Sequence, residues 1–167
     1  VEENQINSTY LRDILHYNEV TGIFTWITKR RGCKFLGMAG TLCQDGYIRI
    51  QIDKRPYKAH RLAWLWMTGE WPKGEIDHVH GNQSDNRWSE LRDATHSINQ
   101  QNQRRAKASN KCGLLGVSPT DRSRKNPWTA RITIKNKSKH LGMFKTADEA
   151  YVAYLQAKRI LHEGCTI

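Results

Sequence analysis

The sequence of 167 residues lacks any C-x-x-C pair; its four thiols (Cys33, Cys43, Cys112 and Cys165) are widely scattered. That spacing supports neither a zinc ribbon nor a redox motif. It predicts free thiols in a reducing, cytoplasmic compartment. No apolar run approaches the length of a spanning helix, no signal peptide opens the chain, and there are no repeats or long low-complexity segments. Acidic residues are few: 16 Asp and Glu stand against 27 Lys and Arg, a formal charge of +11. Such a balance implies a polyanionic partner, nucleic acid ahead of membrane. A stacking motif of the RNA-recognition kind is also missing, which disfavours RNA. What is present is folding material. Hydrophobic residues make up 38% and there are six tryptophans, against disorder and enough for one ordinary core or two small ones.

Periodicity places the elements. Ser8 is the expected N-cap of a short helix reaching about His16, with Leu11, Ile14 and Leu15 on one face. "TGIFTW" reads as a strand after a Gly turn, and "KRRGCKFLGMAG" as a basic, Gly-rich loop. "GYIRIQIDKRPYKAH" reads as a hairpin with Asp53-Lys54 at its turn. "AHRLAWLWMTGEWP" reads as a helix stopped by Gly69 and Pro72, with Trp64 and Trp66 in the core. Ile76 to Val79 form a strand entering a turn at Gly81-Asn82, and a polar helix is expected over 95–107. "RRAKASNKCG" is the expected linker. Beyond it, "LLGVSP", "PWTARITIK" and "KHLGMF" read as three short strands. In the middle one Trp128, Ala130, Ile132 and Ile134 face one way, and Thr129, Arg131, Thr133 and Lys135 the other. A last helix begins at Thr146 with Glu149 at capping-box spacing and turns Ala150, Ala153, Tyr154, Ala157 and Leu161 to one side. The fold class is α+β.

The chemistry gathers in "EIDHVHGNQSDNRWSELRDATHSINQQNQ". Neighbours in a strand point to opposite faces, so of Asp77 and His78 one can bind a metal while the other acts on a proton. The run of D-H, then D-N-R, then L-R-x-x-T-x-x-x-N resembles the HNH nucleases, whose core is the ββα-metal fold. "AHRLAWLWMTGEWP…IDHVHGNQSDNRWSELRDAT…NQQN" looks like the phage-borne HNH homing endonucleases, over about residues 10–105. The resemblance implies His78 as the general base, and Asp77 and Asn99 as oxygen ligands of one divalent metal. It implies Asn86 as the residue that holds the intervening loop. Oxygen donors suit Mg²⁺, or Mn²⁺, and a histidine can take a proton at neutral pH. An asparagine is a poor zinc ligand, so zinc is not expected.

Other residues of the stretch keep two readings each. His80 stands where related sequences more often carry asparagine; it is a solvated turn residue, a DNA contact or a third metal ligand. His96, three residues before Asn99, is a second candidate ligand or a solvent-facing side chain. Arg87 and Arg92 clamp a phosphate or form plain ion pairs. His60 is expected to be buried and structural.

"LLGVSPTDRSRKNPWTARITIKNKSKHLGMFKTADEAYVAYLQAKRILHEG" resembles the plant ethylene-response-factor (APETALA-type) DNA-binding domain, over about residues 113–164. Such domains lay a three-stranded sheet in the major groove, which admits a β-ribbon. By position the groove-facing residues would be Ser118, Thr120, Arg122, Arg131, Thr133, Ser138 and His140. Arg104, Arg105, Lys107, Lys111 and Arg124 would lie along phosphates. Plant domains carry arginines and a tryptophan where Ser118, Thr120, Ser138 and His140 stand here. The competing reading is phosphate binding without sequence preference.

The expected organisation is a nuclease domain over 1–105, a basic linker over 106–113 and a DNA-binding domain over 114–167. The expected activity is metal-dependent cleavage of double-stranded DNA, leaving 5′-phosphate and 3′-hydroxyl ends. The enzyme would be a monomer or homodimer, phage-encoded in a bacterial host, with no membrane partner and no small-molecule cofactor. The alternative is a non-catalytic DNA-binding regulator derived from such a nuclease.

Overall fold

The computed structural model describes residues 6–28, 37–106, 110, 112–121, 125–135 and 137–166. Cys33, Lys107, Lys111, Arg122 and Arg124 lie outside them. The chain divides into two compact units, Val1–Ala94 and Thr95–Ile167, each built of helices and small antiparallel sheets in an α+β fold. The division falls before the expected linker.

In the first unit helix α1 (Ser8–Ile14) runs directly into strand β1 (Leu15–Asn18). The cap is Asn7, not Ser8: the Asn7 Oδ1 accepts from the Tyr10 N–H at 2.8 Å, satisfying one of the donors a helix start leaves open. The helix stops short of His16 because Leu15 to Asn18 pair antiparallel with β2 (Ile23–Trp26), Leu15 opposite Trp26. β3 (Met38–Ala39) adds to that sheet. β4 (Thr41–Leu42), β5 (Ile48–Ile52) and β6 (Arg55–Lys58) form a second sheet. Its hairpin turns at Asp53 and Lys54, with φ +49° and +66°, the left-handed pair that a two-residue hairpin turn requires. Helix α2 (Ala59–Thr68) ends on Gly69 at φ +83°, a conformation that glycine adopts without penalty.

Leu11, Ile14, Leu15, Tyr17, Phe24, Ile50, Ile52, Leu62 and Leu65 make one core, which also takes in Ile76 and Leu91. Trp64 and Trp66 are half-buried at its rim rather than inside it. Trp64 lies against Trp88, with ring centroids 5.1 Å apart. A two-stranded hairpin, β7 (Glu75–His78) and β8 (Leu91–Ala94), completes this unit.

The second unit opens with α3 (His96–Gln101), capped by the Thr95 hydroxyl accepting from the Ile98 N–H. It is shorter than the sequence suggests, because the residues after it are engaged with the end of the chain. Asn102 is buried and accepts the Thr166 hydroxyl at 2.7 Å; Arg104 donates to the Thr166 carbonyl at 2.8 Å. Strands β9 (Val117–Pro119), β10 (Trp128–Ile134) and β11 (Lys137–Phe144) form a sheet in the order β11-β10-β9. Helix α4 (Ala147–Leu161) carries the expected capping box of Thr146 and Glu149. Val117, Ala130, Ile132, Ala150 and Tyr154 are its core. Gly116, at φ +70°, has no alternative: a Cβ there would lie 2.0 Å from the Tyr154 ring.

Candidate active site

The site begins with β7. Ile76 faces the core, and the register sets Asp77 opposite Arg92 and His78 opposite Leu91. Asp77 is 5% exposed and His78 4%. Arg92 donates to Asp77 Oδ2 from Nε at 2.9 Å and from Nη2 at 2.7 Å. Of the two readings for Arg92, the structure has the ion pair, and its partner is the expected metal-binding carboxylate. Two charge-assisted bonds in a half-buried setting are worth far more than a surface pair.

His78 is packed by rings from two other elements. His60, buried on α2, meets it edge-on with centroids 5.1 Å apart, and Tyr47 lies 6.0 Å away. Burial pushes the His60 pKa down to about 3, helped by its neighbours His78, Lys58 and Arg61. His60 is therefore neutral at neutral pH, buried as expected, and in direct contact with the candidate base. His78 itself is lowered by burial, against the nearby Asn86 side chain and the charges of Asp77, Asp85 and Glu90, which favour the protonated ring. A lowered pKa leaves a neutral imidazole able to accept a proton at pH 7.

The loop between β7 and β8 is held at several points. Gly81 N–H donates to the His78 carbonyl at 2.8 Å. The Asn82 side chain accepts from the backbone and hydroxyl of Ser84, closing an Asx turn. Asn86 is 2% exposed; its amide donates to the Ser84 carbonyl at 3.2 Å, a side-chain to backbone bond within the loop. Its own carbonyl accepts the Tyr17 hydroxyl at 2.6 Å. Trp88 N–H donates to the Glu19 carbonyl at 3.0 Å. The β1–β2 hairpin thus braces this loop. Gly22 at the hairpin turn makes the approach possible, since a Cβ there would sit 2.5 Å from Arg87 N and Asn86 C. Arg87 forks onto Asp85 and keeps that carboxyl below its usual range, so it too is an ion-pair residue.

His80 is an exposed turn residue, but not merely a solvated one. Its Nδ1 lies 2.8 and 3.1 Å from the two oxygens of Glu90. Glu90 sits at the end of the 3-10 turn Trp88–Glu90 and is 8% exposed. Sequence reasoning missed Glu90, Tyr17 and Tyr47. Their roles come from partners 10 to 69 residues away, and no local spacing announces them.

Asn99 lies on α3 in the second unit, half-buried. His96 is exposed at the start of that helix, its Nε2 3.3 Å from the Gln100 amide. Gln101 accepts from Gly164 N–H, so this amide and Asn102 serve packing rather than an open face. Among the described residues no three His, Cys, Asp or Glu side chains converge as a metal cluster, and no helix is long and apolar enough to cross a membrane.

The outer face of the C-terminal sheet carries most of the remaining predicted residues. Ser118 pairs with Thr129, Arg131 with His140 and Thr133 with Ser138, and paired residues share a face. Ser118, Arg131, Thr133, Ser138 and His140 are exposed; Thr120 is half-buried at the sheet's end. A bulge at Leu141 shifts the register between Ala130 and Arg131. Thr129 is buried despite its outward position, because His140 Nε2 lies 3.0 Å from its hydroxyl. Arg105 is exposed, whereas Arg104 is half-buried on Thr166.

No curated protein and no solved structure gives a significant match to the chain. Residues 57–101 match the family model described as HNH endonuclease, which supports a nuclease, a phosphodiester hydrolase in general terms, in the segment that contains Asp77, His78, Asn86 and Asn99.

Proposed function

We propose that the protein is a metal-dependent DNA endonuclease of the homing type, targeted by its C-terminal sheet. The observation that carries the reading is the buried His78 ring, packed against His60 and Tyr47 and next to the buried Asp77 within the matched segment. His78 takes the proton of the attacking water. Asn86 and the ring of His60 keep the imidazole oriented for that transfer. Asp77 would hold the cation, its carboxylate oxygen suited to a hard ion such as Mg²⁺ or Mn²⁺; the resemblance adds the amide oxygen of Asn99 as a second ligand. When bound, the cation supplies charge stabilisation for the phosphate and leaving oxygen. Ser118, Arg131, Thr133, Ser138 and His140 face the major groove.

The test is cleavage of supercoiled plasmid by the whole chain with Mg²⁺ or Mn²⁺ and with EDTA. His78→Ala is expected to abolish cutting and leave DNA binding in EDTA intact. Cutting by that variant at the wild-type rate overturns the base assignment. One observation favours a second reading, a non-catalytic DNA-binding regulator: Arg92 already neutralises Asp77. DNA binding with no metal-dependent product from the wild-type chain would establish that alternative.

A further inference from the structure

The His80 ring has no part in the chemistry above, yet it is held by a buried partner. Glu90 is a carboxylate withdrawn from solvent, and burying such a charge is costly unless it is paired. It receives the backbone N–H of His80 at 3.4 Å as well as the ring Nδ1. The main chain on either side is locked as well, Val79 N–H donating to the Glu90 carbonyl at 2.8 Å. Arg87 lies 3.7 Å from the second carboxylate oxygen. A simple surface ion pair would not need a buried carboxylate with its backbone fixed to the same turn.

The result is one ring nitrogen bound and the ring itself displayed. With Nδ1 on Glu90, the tautomer and the ring direction are set. The His80 side chain remains 66% exposed, two residues beyond the candidate base and on the rim of the same turn. With Nδ1–H on Glu90, Nε2 points outward and donates only when it carries the second ring proton. The outward donor has one obvious acceptor in a strongly basic protein whose substrate is a polyanion.

We propose that His80, oriented by Glu90, is a DNA-phosphate contact of the nuclease unit that takes up its second proton in the complex and donates from Nε2 to a backbone oxygen beside the bond being cut. Glu90 is a positioning residue for His80, and its charge also reaches His78. The proposal deepens the nuclease reading and rests on it for the identity of the bound polyanion, duplex DNA.

The experiment has two arms, both with the whole chain. The first measures binding to short duplexes in EDTA across a range of salt, so it is independent of cutting. His80→Ala is expected to weaken binding by about tenfold, the scale of one hydrogen bond to a charged group. The loss should be the same for unrelated sequences, and the slope of log affinity against log salt should flatten by about 0.9, one phosphate's worth. Glu90→Gln, which keeps shape and removes the charge, should give part of that loss. The second arm measures cleavage, where His80→Ala should raise KM and leave kcat within about twofold. Because His80 is exposed in a turn, its removal leaves the packing in place, and a thermal melt checks this. Affinity, salt slope and KM all unchanged in His80→Ala would overturn the proposal, as would a fall in kcat alone, which would make His80 a proton-transfer group. If the wild-type chain binds DNA but never cuts, the nuclease reading fails while the binding arm still decides the role of His80.

Discussion

The Tyr17 hydroxyl decides where Asn86 sits. It donates to a buried backbone carbonyl 69 residues away in sequence, and the Asn86 side chain lies near the candidate base. Tyr17→Phe keeps the ring packing on Phe24 and Trp66 but leaves that carbonyl unsatisfied. The expected cost is about 1–3 kcal/mol of stability, the usual penalty for orphaning a buried group, measurable by urea unfolding. Cleavage should slow while binding in EDTA is unchanged; equal stability of the two proteins would show that the bond contributes nothing. His60 sets a second expectation, in pH. Its folded pKa of about 3 lies below the ordinary value of 6.5, so between those values the unfolded chain binds a proton that the folded chain does not. Stability is therefore complete above about pH 6.5 and falls as the pH drops toward 3, by up to about 1.4 kcal/mol per pH unit for one group. His78, shifted the same way, adds to the effect. Unfolding midpoints measured from pH 7 to pH 4 should show the decline, and His60→Leu should reduce it.

Single elements show what local sequence could and could not announce. The β5–β6 hairpin and the capped α4 were legible because their signals are contained within a few residues: alternation around Asp53-Lys54, and Thr146 with Glu149. The start of the chain was harder. Leu11, Ile14 and Leu15 satisfy a helical stripe, yet Leu15 belongs to a strand whose partner is Trp26. A stripe does not say where a helix gives way to pairing. Lys158 was misleading in another way: it lies on the buried side of α4, 1% exposed, with its ammonium on the Gln103 carbonyl. The pattern of apolar residues assigns a lysine to solvent, and only the tertiary partner reveals otherwise. At the site, Asp77, His78 and Asn86 were legible through motif order. Glu90, Tyr17 and the ring of Tyr47 were not, because each acts across elements. The β1–β2 hairpin carries the prediction at this scale. Gly22 has φ +73° and backbone of the β7–β8 loop where a Cβ would go. Gly22→Ala should cost roughly 2–4 kcal/mol, from overpacking and left-handed strain together. Residual folded enzyme should cut poorly, because the loop bearing Asn86 must retreat. A variant with wild-type stability and rate would show that the hairpin does not brace the loop.

Across the whole molecule, charge and shape have separate duties. Under the proposed function a net +11 draws the chain to any duplex, and contact with about six phosphates would lose roughly 10³-fold in affinity between 50 and 200 mM salt. That attraction carries no sequence information. Discrimination has to come from side chains that reach base edges, and under the proposed function these are a short row on the C-terminal sheet. On its outer face Arg131 is an exposed cation, flanked by His140, Thr133 and Ser138 through the strand register. Ser118 lies on the neighbouring strand. An arginine that reads a guanine contributes about 1–3 kcal/mol of discrimination, whereas one that touches phosphate weakens every sequence alike. Arg131→Ala is therefore expected to relax preference at one base position, with loss of roughly tenfold to a hundredfold on preferred duplexes and little on others. Selection of bound duplexes from a random library, wild type against variant and at fixed salt, reads this directly. A uniform loss across the library, with a flatter salt slope, would make the sheet a phosphate-binding surface and leave sequence choice to the nuclease unit.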